Sequence, residues 1–200
     1  VVANPPSGLV DGMIMAELIN RVRPDFKILT RSLLTGIPEV AEFMIPVPFP
    51  HEENARELGL QMRQQTMDHL KNGGAIILFP AGKVAMSPGY FDTAAEAEWN
   101  VLTHKMIQRS GATILPIHFM GQNSRLFLIA NKLSDTVRQG LLLYEIKRSL
   151  FKPQRPFVGH PSPASVLAAW EGNPRGFLAW LRQHTLDLGT PNEKPWNQKP

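Results

Sequence analysis

The sequence predicts an α/β fold built on a mostly parallel sheet, and three observations carry that prediction. Helical patterns and short apolar strand patterns alternate along the chain. One strand pattern, Ala75-Ile76-Ile77-Leu78-Phe79, is continuously apolar, as a strand covered on both faces is. The segments richest in glycine, proline and polar residues fall where strands end, which is where open α/β sheets build their sites.

The elements follow in order. After a turn at Asn4 to Gly8, residues Asp11 to Arg23 place Ile14, Leu18 and Val22 four apart, predicting a helix headed by an acidic residue at its N-terminus. Phe26 to Thr30 and Phe43 to Val47 read as strands, the second closed by Pro46-Val47-Pro48-Phe49-Pro50. Glu53 to Lys71 reads as a long polar helix with Leu58, Met62 and Leu70 facing inward, stopped by Asn72-Gly73-Gly74. After the Ala75 to Phe79 strand, a helix is expected over Glu96 to Arg109 with Gly111 as its stop, then a strand over Thr113 to Phe119. Helices are expected over Asn131 to Gly140 and Leu141 to Leu150, a last strand over Arg155 to Val158, and an amphipathic helix over Pro174 to Leu188 carrying Phe177, Trp180 and Leu181.

Two hundred residues, 43% of them apolar, suit one domain with a sizeable core. That domain is expected over 1–188, with a polar, proline-rich and disordered tail over 189–200. The opening Val1-Val2-Ala3-Asn4 reads as the end of a buried strand entering a turn, so an N-terminal part of the domain is expected to precede this chain. There is no internal repeat.

The absence of cysteine excludes disulfides, thiolate zinc sites and a cysteine nucleophile, and nothing argues for an oxidising compartment. A formal charge of +4 favours anionic surfaces. Lysines and arginines are scattered with no aromatic-basic alternation, so no nucleic-acid partner is expected. No apolar run approaches the ~18–20 residues that span a bilayer, so membrane contact is expected to be peripheral.

Three segments concentrate the chemistry: Asn4-Pro5-Pro6-Ser7-Gly8-Leu9-Val10-Asp11-Gly12, Phe79-Pro80-Ala81-Gly82-Lys83-Val84, and Leu115-Pro116-Ile117 with the later Gly121-Gln122-Asn123-Ser124. Gly8 and Gly12 are expected to let the backbone turn tightly and approach substrate. Gly82 is expected to present backbone N–H groups and Lys83 a cation to an anionic group, or else Lys83 is a solvated lysine after a strand. Asp11 either serves chemistry or caps a helix dipole. The Gly82-Lys83 pair is not a phosphate-binding loop, because that motif needs glycine where Ile77 stands and Ser or Thr where Val84 stands. Asn123, Ser124 and Arg125 read as turn formers. Phe127, Leu128 and Ile129, like Phe177 and Trp180, read as core, or else as the lining of an acyl groove or a lipid contact.

Taken in this order, the three blocks resemble the phospholipid and glycerol acyltransferase (lysophospholipid acyltransferase-like) family, whose first block is Asn-His with an Asp a few residues on and whose later block is Phe-Pro-Glu-Gly. They are most similar to its bacterial hemolysin-like and lyso-ornithine-lipid acyltransferase branch, which reads Asn-His-Pro-x-Gly-x-x-Asp-Gly and often Phe-Pro-Ala-Gly. The resemblance runs to about His160. It implies a central mixed sheet flanked by helices, with a groove at the strand ends holding Asp11 and the Phe79 to Lys83 loop. It further implies transfer of a fatty acyl group from an acyl-carrier-protein or acyl-coenzyme A thioester to the hydroxyl of a lysolipid or glycerolipid-type acceptor, with no bound cofactor or metal. Asp11 takes the catalytic aspartate position, and Ser7, Gly8, Gly12, Pro80, Gly82 and Lys83 take substrate-binding positions. The setting implied is cytoplasmic, peripheral on the inner face of the membrane.

The sequence departs from that family at one position that matters. The family's general base is a histidine held by the aspartate of the same block, and neither Pro5 nor Pro6 can accept a proton. His51, after the second strand, is the candidate replacement, set against its reading as an exposed loop histidine. The stretch His51-Glu52-Glu53 lacks the arginine with which relatives hold glycerol phosphate, making glycerol 3-phosphate a poor candidate acceptor. The alternative to a working enzyme is a catalytically impaired relative that binds lipid or an acyl carrier.

Overall fold

The computed structural model describes residues 1–31, 41–87, 89, 92–133, 135–149 and 152–193, with backbone alone at 131–133, 135–139, 142 and 143. The chain is α/β. Six strands, β1 (Val2–Ala3), β2 (Phe26–Arg31), β3 (Met44–Val47), β4 (Ala75–Leu78), β5 (Pro116–His118) and β6 (Phe157–Val158), form one mixed sheet in the order β3-β2-β4-β1-β5-β6. Every pairing is parallel except β5 with β6.

Among the described residues six α-helices accompany them: α1 (Leu9–Asn20), α2 (Ala55–Lys71), α3 (Val101–Ser110), α4 (Arg125–Leu133), α5 (Asp135–Ser149) and α6 (Pro174–Asp187). A 3-10 helix over Ala164–Trp170, which the sequence patterns do not predict, precedes α6. Local chemistry sets the ends. Asn100 and Asn173 cap α3 and α6 by accepting the N–H of Leu102 and Gly176, and Gly73 and Gly111 follow α2 and α3 with positive φ of 82° and 64°.

The core divides along the two faces of the sheet, as the two-residue period of a strand requires. Ala3, Ile28, Ile77 and Ile117 face one way and pack with Met15 and Ile19 of α1. Val2 faces the other way, onto Phe177, Leu178 and Leu181 of α6 and Ile107 of α3. Leu29, Ile45 and Ile76 share that second face with Met62 of α2 and Met106 of α3.

Three expectations are corrected. The segment from Glu96 is extended, and α3 begins at Val101, because a backbone bridge between Met86 and Ala95 holds its start away from helical geometry. The buried stripe of α1 is Asp11, Met15 and Ile19, one residue beyond the predicted one, and Val22 lies past the helix end with 73% exposure. The predicted helix pair begins earlier, with α4 starting at Arg125, where Ser124 Oγ accepts the N–H of Phe127. Ser124 is in turn held by buried Glu145 of α5, which accepts its backbone N–H at 3.1 Å and its hydroxyl. Phe127 and Leu128 are core, as expected. Of the expected tail, Gly189 to Glu193 form turns, with Glu193 accepting the N–H of Gly189 at 2.9 Å, and 194–200 lie outside the described residues.

Ile77 is fully buried on the central strand β4. Its replacement by alanine should lower stability by about 2–5 kcal/mol, measured as a shifted urea midpoint at unchanged slope.

Candidate functional site

The connection leaving β1 runs through α1 on one face of the sheet, and the connection leaving the adjacent β4 runs through α3 on the other. Such a reversal opens a crevice at the carboxyl ends of the two strands. The first and second motif blocks meet there.

The first block is set by side chains that stand in for backbone pairing. Asn4 is buried where β1 stops, and its carboxamide continues the ladder: Nδ2 donates to Phe119 O at 2.9 Å, and Oδ1 accepts the Phe119 N–H at 2.7 Å. Pro5 and Pro6, also buried, carry the chain to Ser7 and Gly8. The carboxylate of Asp11, 2% exposed, turns back and accepts the N–H of Ser7 at 2.6 Å and of Gly8 at 2.8 Å through one oxygen, Oδ2. Asp11 therefore caps its own helix from the third position and shapes the loop ahead of it.

Gly8 is required for two reasons. Its φ of 79° is left-handed, and a Cβ there would stand 2.7 Å from Val84 Cγ1. This close approach joins the two blocks. Gly12, by contrast, lies inside α1 in helical conformation with no neighbour near a Cβ, so the tight turn expected of it is not made.

The second block is a turn in which Phe79 O accepts the N–H of Gly82 at 2.9 Å, with buried Pro80 at the second position and φ of 65° at Gly82. The N–H of Gly82 is thus committed to the turn, which corrects the expectation that it presents itself to an anion. Lys83 is exposed beside it. Pro80 O accepts the N–H of Asn100, fastening the turn to the start of α3.

Glu96, which the motif reading did not single out, is the second carboxyl of this region. It is 9% exposed, lies one residue beyond the Met86–Ala95 bridge, and accepts the indole N–H of Trp99 through Oε1 at 3.1 Å. Trp99 belongs to the core cluster that includes Val2 of β1 and against which Leu78 of β4 and Ala81 pack. Arg182 of α6 donates to the backbone carbonyl of Glu96. Burial pushes the Glu96 carboxyl up to about 7, with the charge of Asp11 adding to the shift against the opposing pull of Trp99 and Arg182. Burial likewise pushes Asp11 up to about 7, against the lowering effect of the Ser7 and Gly8 N–H groups. Periodicity conceals Glu96 because it sits in a run of alanine and glutamate that reads as a solvated helix start.

The histidines are engaged elsewhere. His51 stacks on Phe49 at 5.3 Å beyond β3, and three inter-strand spacings, about 14 Å, separate β3 from β1. None of the described hydrogen bonds joins it to Asp11, whose donors are Ser7 and Gly8. His69 contacts Asp25 O, His118 contacts Leu188 O, His104 lies edge-on to Phe177, and His184 stacks on Trp180. No group of three or more His, Asp or Glu side chains among the described residues could hold a metal ion. No described helix is long and apolar enough to cross a membrane.

Two outcomes follow from this geometry. In Gly8→Ala the added methyl meets Val84, costing about 1–3 kcal/mol, and Val84→Ala in the same chain should recover part of that loss in a double-mutant cycle. The second concerns pH. Asp11 ordinarily titrates near 3.8 and in the fold near 7. Between those values the folded chain keeps a proton that the unfolded chain has released, so stability due to this group falls as pH rises and reaches its lowest level above about 7. Asp11→Asn retains an oxygen for Ser7 and Gly8 without the charge. Its stability relative to the parent should therefore rise from pH 4 to pH 7, by on the order of 1.4 kcal/mol per unit of pKa shift, in denaturant titrations at each pH.

No family model matches the chain, and no curated protein matches it.

Proposed function

We propose that the chain is an O-acyltransferase that moves a fatty acyl group from an acyl-carrier-protein or acyl-coenzyme A thioester to the hydroxyl of a lysolipid or glycerolipid-type acceptor. The observation that supports this reading best is the meeting of the Asn4 to Gly12 and Phe79 to Val84 loops, with Gly8 against Val84 and Asp11 buried behind them. In the family these blocks resemble, the corresponding loops carry the aspartate and the acceptor-binding turn.

The substrates fit what surrounds the loops. The acceptor's anionic headgroup would meet exposed Lys83, and Ser7, half-exposed on the first loop, would lie beside it. Exposed Met13 (58%) near the start of α1, Met120 (58%) just past β5 and Leu126 (54%) at the start of α4 follow the carboxyl ends of the sheet, which suits peripheral attachment to the inner face of the membrane from the cytoplasm. The donor thioester is a substrate, and no cofactor is called for.

A second reading is favoured by the buried proline at position 5, where the family has its histidine. Under it the chain keeps an acyltransferase scaffold and binds lipid or acyl carrier without turnover.

The two separate in a thioester assay with palmitoyl-coenzyme A or long-chain acyl carrier protein and a panel of lysolipids. Under the enzyme reading, the parent chain forms product and Asp11→Ala abolishes it. Product only from Pro5→His would mean the scaffold survives without its base, a gain of about 100- to 10,000-fold. No product from either would overturn the acyltransferase reading.

A further inference from the structure

Cations that lie apart in the sequence are gathered by the fold at one corner of the sheet. Between Asp135 and Glu171 the only carboxylate is Glu145, against Arg138, Lys147, Arg148, Lys152 and Arg155. Glu145 is buried and engaged within the fold. It accepts the backbone N–H of Ser124 at 3.1 Å together with the Ser124 hydroxyl, and Arg148 Nη1 lies 3.4 Å from its Oε2. Those contacts hold the last turns of α5 beside the start of α4, which brings exposed Arg148 close to the exposed pair Arg125 and Leu126.

The antiparallel pairing of β6 brings a second group to the same corner. His118 pairs with Phe157, so the chain after β5 and the chain before β6 leave the ladder at one end. Met120, two residues past His118, and Arg155, two residues before Phe157, stand at equivalent positions beyond the carboxyl end of β5. Two residues reach at most about 7 Å, which keeps both at that rim. Ser149 O accepts the N–H of Lys152, closing the turn that leads from α5 toward it. Lys152 and Arg155 are exposed, as are Met120 (58%) and Leu126 (54%). Carboxylates near this surface belong to Asp92, whose backbone carbonyl accepts Arg125 Nη1 at 3.2 Å, and Glu193, which accepts the N–H of Gly189 beside Phe157. The four cations outweigh them.

We propose that Arg125, Arg148, Lys152 and Arg155, with Met120 and Leu126 among them, dock the chain on an anionic bilayer. The cations meet lipid phosphates, and the two flexible apolar side chains enter the boundary between headgroups and acyl chains. A nucleic acid or an acidic protein would draw on the cations and leave Met120 and Leu126 without a role. The carboxyl ends of the strands, where the Asn4 to Gly12 and Phe79 to Val84 loops meet, then face the lipid. The inference rests on the peripheral attachment read above, to which it adds the lipid charge and the docking residues, and not on acyl transfer.

The experiment is vesicle co-sedimentation without any thioester, on phosphatidylcholine vesicles with and without phosphatidylglycerol. The parent chain should bind the phosphatidylglycerol vesicles and lose most of that binding when salt rises from about 0.1 M to about 1 M, which shortens the screening length from about 10 Å to about 3 Å. Lys152→Gln with Arg155→Gln should lower the partition about 30-fold, at about fivefold per cation. Met120→Ser with Leu126→Ser should lower it about tenfold or more. Arg56→Gln with Arg63→Gln on α2, at the opposite margin of the sheet, should change it less than twofold; an equal loss there would mean that net charge alone binds, and would overturn the proposal. Equal binding of the parent to both vesicles would leave peripheral attachment standing and overturn the anionic docking face. Binding to neither would overturn both, with acyl transfer still judged by the thioester assay. Loss of binding to acyl carrier protein or duplex DNA in the Lys152 and Arg155 variant, with vesicle binding unchanged, would assign the corner to a soluble polyanion and overturn it. Matching urea midpoints verify that the variants fold, and the salt dependence of the parent decides the question should they not.

Discussion

The two hydrogen bonds between the Asn4 carboxamide and the main chain of Phe119 are the constraint on which the rest of the strand-end region depends. β1 has only two residues, yet it holds the middle of the sheet, with β4 on one side and β5 on the other. A strand so short has few ladder bonds of its own. The side chain of Asn4 adds two more at the point where Pro5 and Pro6, which have no N–H, can add none. With the end of β1 fixed to the end of β5, the loop that follows has one course, and it delivers Gly8 to Val84 and Ser7 and Gly8 to the carboxylate of Asp11.

Asp11 shows how the same residue serves the fold and limits the chemistry. Its Oδ2 is occupied by two backbone N–H groups, so it acts first as the keeper of the loop. Burial then disfavours its charge. Glu96 experiences the same burial with one oxygen satisfied by Trp99 and the other unpartnered. The two carboxyls are alike in having one oxygen engaged by N–H donors, two of them for Asp11 and one for Glu96.

Much of the fold was legible because strands covered on both faces leave continuous apolar runs, as at Ala75 to Leu78, and because glycines at 73 and 111 end helices where their φ requires it. The helix from Glu96 was misread since Ala94 to Glu98 has high helical propensity, and a tertiary bridge overrode it. The stripe of α1 was misplaced by one residue because its core face contains a buried aspartate, which a count of apolar residues passes over. For the site, the meeting of the two loops was expected from the strand ends together with the family resemblance. The role of Val84 as the atom that forbids a methyl at Gly8 did not, because no sequence pattern reports distances between residues 76 positions apart. Glu145 supporting Ser124 and Arg182 reaching Glu96 were hidden for the same reason.

The two margins of the sheet also shape how the molecule behaves among its own copies. At one margin β3 runs Met-Ile-Pro-Val, and Pro46 with Pro48 just beyond it has no N–H for a further strand to accept. At the other, β6 is two residues long and follows Pro156. Neither rim offers the unbroken row of donors and acceptors that templates edge-to-edge polymerisation. A concentrated solution of the folded chain is thereby protected from growing fibrils through sheet extension, even though the sheet is open and not closed into a barrel.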